Sequence, residues 1–304
     1  MNYIKDIERD EIRDGFLVTT DRKKQWNHML ELLVLFDKIC KKHGIRYYLA
    51  YGTLIGAARH RGFIPWDDDM DVLVPRPDYQ RLMEIMPQEL EYPLYYTSMY
   101  NFPWFKTFCK VMDLSTTAGV INEYNEIGAG GIWIDIFPLD FDRNPNITYS
   151  EDMELIFKTA EELIALMLRP DYLFKEIKEG KYQPVFPLQI LEKLYNSPRE
   201  VPFKLMEDFL LKHYDDSDYC SYFVFEYRYT RFCGNIPLPK TYYGNGTGGE
   251  FEGLTFPCPD EIDKCLTTWY GDWRKPVRFG SLHEGHHFSV DIPHDYFMQN
   301  AKYF

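Results

Sequence analysis

Residues 62–74 read Gly-Phe-Ile-Pro-Trp-Asp-Asp-Asp-Met-Asp-Val-Leu-Val, so a run of carboxylates leads directly into an apolar segment. Successive side chains of a β-strand point to opposite faces, which would place Asp67, Asp69 and Asp71 on one face. Carboxylates that close raise each other's pKa unless a cation lies between them. We therefore predict a Mg²⁺ or Mn²⁺ site on Asp69 and Asp71, with Asp67 as a further ligand and Asp68 facing away. A solvated acidic turn is the alternative.

Charge and cysteine usage narrow the class of protein. The chain has 304 residues, with 34 Lys and Arg against 47 Asp and Glu, for a net charge of -13. That balance argues against a protein that binds nucleic acid through a basic surface, so we expect no nucleic-acid partner. The six cysteines show no paired CxxC spacing, which favours reduced thiols in a cytoplasmic protein.

The hydropathy pattern bears on the membrane. The first ten residues contain no apolar signal-peptide core, and no uncharged apolar stretch approaches about 18 residues. We therefore expect no transmembrane segment and a cytoplasmic location. Contact with the inner face of the membrane stays open as an alternative.

A strand, a turn and a short helix are predicted just before the acidic run. Apolar residues at helical spacing predict a first helix that ends at Gly44. Residues 45–51 then predict a strand, Gly52 and Thr53 a tight turn, and 54–60 a short helix. Glycine at a strand-to-helix turn lets backbone N–H groups approach phosphate, and the helix N-terminus favours negative charge. We therefore expect Gly52 and the Thr53 hydroxyl to contact a phosphate group.

A second buried strand is predicted at 131–140, which reads Gly-Ile-Trp-Ile-Asp-Ile-Phe-Pro-Leu-Asp. Asp135 at its centre is expensive to bury unless it is paired or bound to a metal. We predict that Asp135 completes the metal site or acts as general base. A buried ion pair with Lys110 is a compatible alternative. Asp140 is predicted to be a capping residue rather than a ligand.

The rest of the chain predicts helices, a loop and a hairpin. These elements are a helix at 149–168, a flexible loop at 244–249, a hairpin at 251–259 and a helix at 260–270. We divide the chain into a catalytic core at 1–145 and a mainly helical region at 146–304 that completes the acceptor side.

Three histidines follow two cysteines near the C-terminus. His283, His286 and His287 come after Cys258 and Cys265 in the chain. Zinc sites usually have more closely spaced cysteines. The favoured interpretation is a structural or substrate-contacting pair of histidines.

The order of these elements is similar to the nucleotidyltransferase fold of the DNA polymerase β type. Its hallmarks are a glycine turn, an Asp-x-Asp strand and a third carboxylate. We therefore predict an α/β (α+β) fold, with a mixed-sheet core, surrounding helices and a C-terminal extension.

The residues around the acidic run make the resemblance more specific. Residues 51–72 read Tyr-Gly-Thr-Leu-Ile-Gly-Ala-Ala-Arg-His-Arg-Gly-Phe-Ile-Pro-Trp-Asp-Asp-Asp-Met-Asp-Val. This block resembles the defining block of the LicD family, which includes phosphocholine transferases and is related to fukutin. Residues 110–113, 131–140 and 270–272 are similar to further blocks of the family.

The resemblance implies metal-dependent transfer of a phospho-alcohol, with release of CMP. The first candidate is phosphocholine, carried from CDP-choline to a hydroxyl of a cell-surface or lipid-linked glycan such as lipopolysaccharide or teichoic acid. The family's functional positions fall on the metal carboxylates Asp69 and Asp71, the third carboxylate Asp135, and the turn residues Gly52 and Thr53. The resemblance also favours Arg59 as a phosphate contact; the alternative is that Arg59, His60 and Arg61 are favourable cations at a helix C-terminus.

Two further positions have weaker support. Lys110 is a candidate phosphate contact, although Lys106 lies only four residues away. The family also has a histidine pair near its C-terminal end, which keeps His286 and His287 as candidate site residues.

Three other functions stay open. The same fold could transfer ribitol phosphate or glycerol phosphate from the corresponding CDP-alcohol. It could instead use nucleoside triphosphates and release pyrophosphate. A non-catalytic protein that binds a glycan or a nucleotide is the third alternative.

Overall fold

The computed structural model describes residues 2–101, 108–121, 127–222, 236–278 and 286–300. Helices surround a mixed β-sheet, which confirms the predicted mixed α/β class. The nucleotidyltransferase-like arrangement and the division at residue 145 stay predictions. Lys106, Cys233 and His283 lie outside the described residues.

The helices and strands are numbered here in chain order. The helices are α1 Thr20–His43, α2 Tyr51–Ile55, α3 Arg76–Glu89, α4 Glu151–Leu168, α5 Pro170–Lys178, α6 Leu188–Tyr195, α7 Glu200–Lys212, α8 Ile262–Tyr270 and α9 His294–Asn300. The strands are β1 Glu11–Arg13, β2 Phe16–Val18, β3 Tyr48–Leu49, β4 Asp71–Pro75, β5 Leu94–Thr97, β6 Cys109–Ile121, β7 Ile127–Asp142, β8 Tyr219–Ser221, β9 Leu238–Pro239, β10 Thr247–Phe251, β11 Leu254–Cys258 and β12 His286–Ser289.

The main sheet places β4 and β7 side by side. Its strand order is β12-β6-β7-β4-β3, with β5 paired to β6, β8 paired to β7 and β9 paired to β8. β4 and β7 are parallel, whereas the other pairs are antiparallel. The parallel register puts Asp71 opposite Asp135. Two residues 64 positions apart in the chain therefore become direct neighbours.

Helix α1 packs its apolar face on the sheet. The Thr19 side chain accepts a hydrogen bond from the Arg22 backbone N–H at the start of the helix. Gly44, at a φ of 61°, ends the helix as predicted, because glycine adopts this left-handed conformation without steric cost. The buried face of α1 includes Trp26, Met29, Leu33 and Phe36.

The predicted strand at 45–51 is wrong for most of its length. Only Tyr48–Leu49 pairs with β4, and α2 begins at Tyr51, which has a φ of 45°. Gly52 and Thr53 therefore lie in the first turn of a helix rather than in a tight turn before one.

The acidic run also differs from its prediction. Strand β4 begins at Asp71, so Asp67, Asp68 and Asp69 precede the strand instead of lying in it. The alternation of strand faces does not apply to these three residues. Their side chains are placed by the path of the preceding loop.

A second hydrophobic cluster lies among α4, α5, α6 and α7. Helix α4 confirms the predicted helix at 149–168, and Ser150 caps it by accepting from the Met153 N–H. Its buried residues include Phe157, Leu163 and Leu166.

The predicted hairpin is present as β10 and β11, with its turn at Glu252 and Gly253. The predicted loop at 244–249 is therefore partly wrong, because β10 begins at Thr247. The predicted helix at 260–270 is confirmed by α8, which ends at Gly271. Among the residues that the structure describes, no helix is both long and apolar enough to cross a membrane.

Candidate active site

Three carboxylates converge where β4 and β7 begin to run side by side. Asp71 is the first residue of β4, and Asp135 lies opposite it on β7. Carboxylate oxygens of Asp69, Asp71 and Asp135 all lie within 4.8 Å of one another. The Asp135 backbone N–H donates to the Met70 carbonyl oxygen at 2.8 Å, which ties the two segments together. The three site carboxylates predicted from the sequence are thus brought into one cluster.

The pKa of Asp71 is strongly raised within this cluster. Burial and the charges of Asp69, Asp135 and Asp67 raise the pKa of Asp71 well above its usual value, while the charge of Lys110 opposes this shift. Asp71 is 8% exposed and Asp135 is 5% exposed, so solvent screens these charges little. The ionised cluster is therefore destabilised until a cation is added.

Asp67 belongs to a second, overlapping group. Carboxylate oxygens of Asp67, Asp68 and Asp69 also lie within 4.8 Å of one another. Burial raises the pKa of Asp67 to about 6, although a hydrogen bond with Asp69 lowers it. The prediction that Asp68 faces away is wrong, because residues 67–69 do not form a strand. Its carboxylate is buried and lies 3.7 Å from the Arg22 guanidinium.

These residues fit a divalent cation. Mg²⁺ and Mn²⁺ prefer oxygen ligands, and three carboxylates from two separate segments supply them here. The raised pKa of Asp71 is the expected consequence of burying such ligands side by side, an effect that the charge of Lys110 offsets only in part. Asp69 and Asp71 are the residues that would hold the ion, and Asp67 and Asp135 lie next to them.

Lys110 forms an ion pair with Asp135. It lies opposite Asp135 in the register of β6 and β7, and its Nζ is 2.9 Å from Asp135 Oδ1. The other carboxylate oxygen, Oδ2, accepts a hydrogen bond from Trp133 Nε1 at 2.9 Å. Lys110 Nζ also lies 3.8 Å from the centre of the Trp133 ring, a cation–π contact. The ion pair predicted for Asp135 is therefore present, and it orients the carboxylate.

Thr53 and Gly52 position the acidic segments. Thr53 Oγ1 accepts a hydrogen bond from the Asp71 backbone N–H at 2.9 Å, where β4 begins. A Cβ atom at Gly52 would lie 2.6 Å from Asp67 Oδ2, closer than real Cβ contacts allow. Gly52 thus leaves room for the Asp67 carboxylate. That Gly52 and Thr53 contact a phosphate group stays a prediction.

The Arg59 side chain forms its hydrogen bond outside the carboxylate cluster. It belongs to a π-helical segment, Gly56–His60, which continues α2. Its Nη1 donates to the Trp273 carbonyl oxygen at 2.5 Å. Its side chain lines a cavity with Arg13, His60 and Arg61.

The prediction for Asp140 is wrong, whereas the role predicted for the histidine pair is still untested. Asp140 is not a cap, because it forms a buried, two-pronged ion pair with Arg76 at 2.5 and 2.8 Å. His286 and His287 lie on β12, which pairs with the far end of β6, and the His287 ring stacks on Phe297. Their role as site residues stays a prediction.

Three polar residues of α1 hold the acidic loop, and sequence reasoning missed them. Arg22 Nη1 and Trp26 Nε1 donate to the Asp67 carbonyl oxygen, at 3.2 and 3.0 Å, and Gln25 Nε2 donates to the Asp68 carbonyl oxygen at 3.0 Å. Gln25 is 4% exposed and Trp26 is fully buried. The available signal was the spacing: Gln25 and Trp26 follow Arg22 by three and four residues, which places them next to Arg22 on the helix surface.

Residues 44–165 match the family model described as LicD/FKTN/FKRP, nucleotidyltransferase domain. That segment contains Asp69, Asp71 and Asp135. The match confirms the predicted resemblance to the LicD family over this segment.

Three curated proteins are similar to this chain. Lipopolysaccharide cholinephosphotransferase LicD of Haemophilus influenzae is 28% identical over 249 residues, which are 81% of this chain and 88% of that protein. Uncharacterized protein RP689 of Rickettsia prowazekii is 41% identical over 75 residues, covering 24% of this chain and 28% of that protein. Uncharacterized protein RT0683 of Rickettsia typhi is 37% identical over 74 residues, covering 24% of each chain.

Proposed function

We propose that this chain transfers phosphocholine from CDP-choline to a glycan hydroxyl, with release of CMP and with Mg²⁺ or Mn²⁺ bound at the carboxylate cluster. The convergence of Asp69, Asp71 and Asp135 within 4.8 Å carries the proposal. The cluster lies in the segment that matches the LicD family model. The Haemophilus influenzae relative, which aligns with 81% of this chain, is named a lipopolysaccharide cholinephosphotransferase. We therefore propose lipopolysaccharide as the acceptor class.

The reaction forms a bond between the glycan oxygen and the phosphorus of phosphocholine, and it breaks the bond from that phosphorus to CMP. The bound metal ion supplies neutralisation of negative charge on the donor pyrophosphate. Asp69 and Asp71 hold the ion, and their own ionisation is favoured when it is present.

The attacking hydroxyl must lose a proton as the new bond forms. We assign Asp135 as the acceptor of this proton, because its carboxylate is buried beside Asp71 and held in one orientation by Trp133 and Lys110. Lys110 places a positive charge beside Asp135. This charge would also stabilise the negative charge that develops on the leaving phosphate.

Purified protein assayed with a lipopolysaccharide acceptor and one donor at a time tests this function. CDP-choline, CDP-glycerol and CDP-ribitol are compared by CMP release, with Mg²⁺ or with a chelator. We expect CMP release with CDP-choline that depends on metal and acceptor. Release from CDP-glycerol or CDP-ribitol alone would identify a different carried alcohol, and pyrophosphate release from a nucleoside triphosphate would favour nucleotidyl transfer.

The Asp71→Asn variant tests the role of the cluster. We expect a loss of at least about 100-fold in kcat, the usual effect of removing one electrostatic group from a transfer site. The melting temperature without metal should stay equal or rise, because one of several crowded charges is gone. Asp208→Asn, at an exposed surface ion pair with Lys204, is the matched control and should keep full activity. Full activity of Asp71→Asn would exclude the proposed site, and metal-dependent binding of CDP-choline without turnover would favour a non-catalytic protein.

A further inference from the structure

A cavity of about 510 Å³ lies beside the acidic loop, at the end of the π-helical segment. Its lining combines cations and carboxylates: Arg13, Arg59, Arg61, His60, Asp14 and Glu252. Three arginines and two carboxylates line the cavity, and Glu11 and Glu250 pair with two of these arginines, Arg13 and Arg61. The volume is within the usual range for small-molecule sites and exceeds what a single inorganic anion needs.

The cations of this cavity differ in their pairing. Arg13 Nη1 lies 3.0 Å from Glu252 Oε1, and His60 Nε2 lies 3.1 Å from Asp14 Oδ2. Arg61, on the surface, lies 3.7 Å from Glu250.

Arg59 is the exception in the part of the chain that the structure describes. Its only neighbours within hydrogen-bond distance there are the Trp273 carbonyl oxygen and the neighbouring His60 ring, and no carboxylate pairs with it. Its side chain is half-buried. Burial lowers the pKa of Arg59, and the charge of Asp14, which pairs with His60, opposes this shift only in part. A partly desolvated guanidinium of this kind is a favourable partner for an anionic ligand group.

The remaining lining suits the hydroxyls of a sugar. Asp14 and Glu252 present carboxylate oxygens, which accept hydrogen bonds from hydroxyl groups. The arginines present several N–H donors in the same space. A sugar ring that carries both hydroxyls and a negative charge would donate to the carboxylates and accept from the arginines.

Two contacts connect this cavity to the carboxylate cluster. The Arg13 guanidinium lies over the Trp26 ring, and Trp26 Nε1 donates to the Asp67 carbonyl oxygen. On the other side, the His60 ring contacts the Trp66 ring, and Trp66 directly precedes Asp67. A ligand in the cavity would therefore lie next to the loop that carries the acidic residues.

We propose that this cavity binds an anionic sugar of the acceptor glycan, with Arg59 as the contact for its phosphate or carboxylate group. This inference rests on the proposed function in one respect, that the acceptor is a glycan. It moves Arg59 from the donor side of the reaction, where the family resemblance places it, to the acceptor side.

Calorimetric titration of the full chain, without metal or donor, tests the proposal. The probes are glucose 6-phosphate, glucuronate and neutral glucose. At least one charged sugar should bind at least tenfold more tightly than glucose, and the comparison of the two identifies phosphate or carboxylate as the preferred anion. Equal binding of charged and neutral sugars, or no binding of any probe, would overturn the proposal.

Two variants and one control assign the binding to this cavity. Arg59→Gln should weaken binding of the charged sugar about tenfold, as loss of one charge-assisted contact does. Arg61→Gln, at a side chain that is 76% exposed, should weaken binding without affecting folding. Arg274→Gln, at an arginine that is 61% exposed and paired with Asp263, should bind like the wild type. If Arg59→Gln binds the charged sugar like the wild type, the proposal is wrong.

The two proposals fail separately. Sugar binding is measured without donor, so its loss in the cavity variants says nothing about CMP release. An intact charged-sugar site in a protein that releases no CMP from any CDP-alcohol would overturn the proposed function and leave the binding site in place.

Discussion

Asp67 illustrates how the backbone, rather than ligand chemistry, places one carboxylate. Its carbonyl oxygen accepts hydrogen bonds from Arg22 and Trp26, and its side chain occupies the space that the missing Cβ of Gly52 leaves. Burial then raises its pKa to about 6. A carboxylate held in this way contributes to the free energy of unfolding with a pH dependence opposite to that of an ordinary salt-bridged aspartate.

The sign of that dependence gives a prediction for Asp67→Asn. Between pH 3.8, the usual pKa, and pH 6, the folded state holds a proton that the unfolded state has lost. The contribution of Asp67 to the free energy of unfolding therefore falls as pH rises through this window, and it levels off above pH 6. In chelator, the asparagine variant should gain stability over the wild type progressively across that range.

Urea denaturation of both proteins at several pH values measures this difference. Asp71 also has a raised pKa, and the charge of Asp67 contributes to that rise, so the difference between the two proteins combines the titration of Asp67 with its effect on Asp71; both effects favour the variant as pH rises. A difference that does not change between pH 4 and 6 would contradict the raised pKa of Asp67.

Sequence reasoning at the residue scale was correct about the ion pair of Asp135 and wrong about the orientation of Asp68. Asp135 was found because a carboxylate between two isoleucines needs a partner wherever the strand lies, and Lys110 supplies one. The orientation of Asp68 depended on whether residues 67–69 form a strand. Local composition does not determine that, because the donors that hold this loop come from α1.

At the element scale, α2 and β4 are joined by one side chain. Thr53 Oγ1, in the first turn of α2, accepts from the Asp71 N–H where β4 begins. Both groups are buried. Because β4 and β7 pair in parallel register with Asp71 opposite Asp135, fixing Asp71 also fixes its position relative to Asp135.

Replacing Thr53 by Val should leave the Asp71 N–H buried without its acceptor. We expect a loss of about 1–3 kcal/mol in the free energy of unfolding, and a lower kcat because Asp71 would lose its fixed position. Thr53→Ser keeps the hydroxyl and is the matched control. Chemical denaturation and the CMP-release assay measure the two effects; a valine variant as stable and active as the serine variant would show that this hydrogen bond does not position the site.

The predictions for elements succeeded where periodicity was long. Helices α1 and α4 each repeat their apolar residues over five or more turns, and both were predicted from that pattern. The strand at 45–51 was overestimated, because Ile45, Tyr47, Tyr48, Leu49 and Tyr51 are all good strand formers. Pairing with β4 extends only over Tyr48–Leu49, and the chain then turns into α2 at Tyr51.

At the scale of the whole molecule, a buried ion pair connects the sheet to the helical region. Arg76 at the start of α3 forms two hydrogen bonds with Asp140 on β7, and both side chains are almost fully buried. Glu207 of α7 lies 3.7 Å from the same guanidinium and also accepts a hydrogen bond from the Tyr100 hydroxyl. The two hydrophobic clusters meet around this network.

Arg76→Met should therefore be strongly destabilising. Removing the guanidinium leaves the Asp140 and Glu207 carboxylates buried without a cation, which costs about 3–5 kcal/mol in the free energy of unfolding. Arg46→Met is the control, because Arg46 is 56% exposed in its ion pair with Asp78 and should cost about 1 kcal/mol or less. Equal denaturation midpoints for the two variants would contradict this role of Arg76.

By itself, the sequence determined the mixed α/β class, the long helices, the three carboxylates and the resemblance to the LicD family. These features depend on periodicity and on residue types that are costly to place in an apolar strand without a function. Only the tertiary structure decided that Asp71 lies opposite Asp135, that α1 holds the acidic loop and that Arg59 lines a separate cavity. The physical reason is that strand register and hydrogen bonds between distant segments depend on how the whole chain packs. Short stretches of sequence therefore do not determine them.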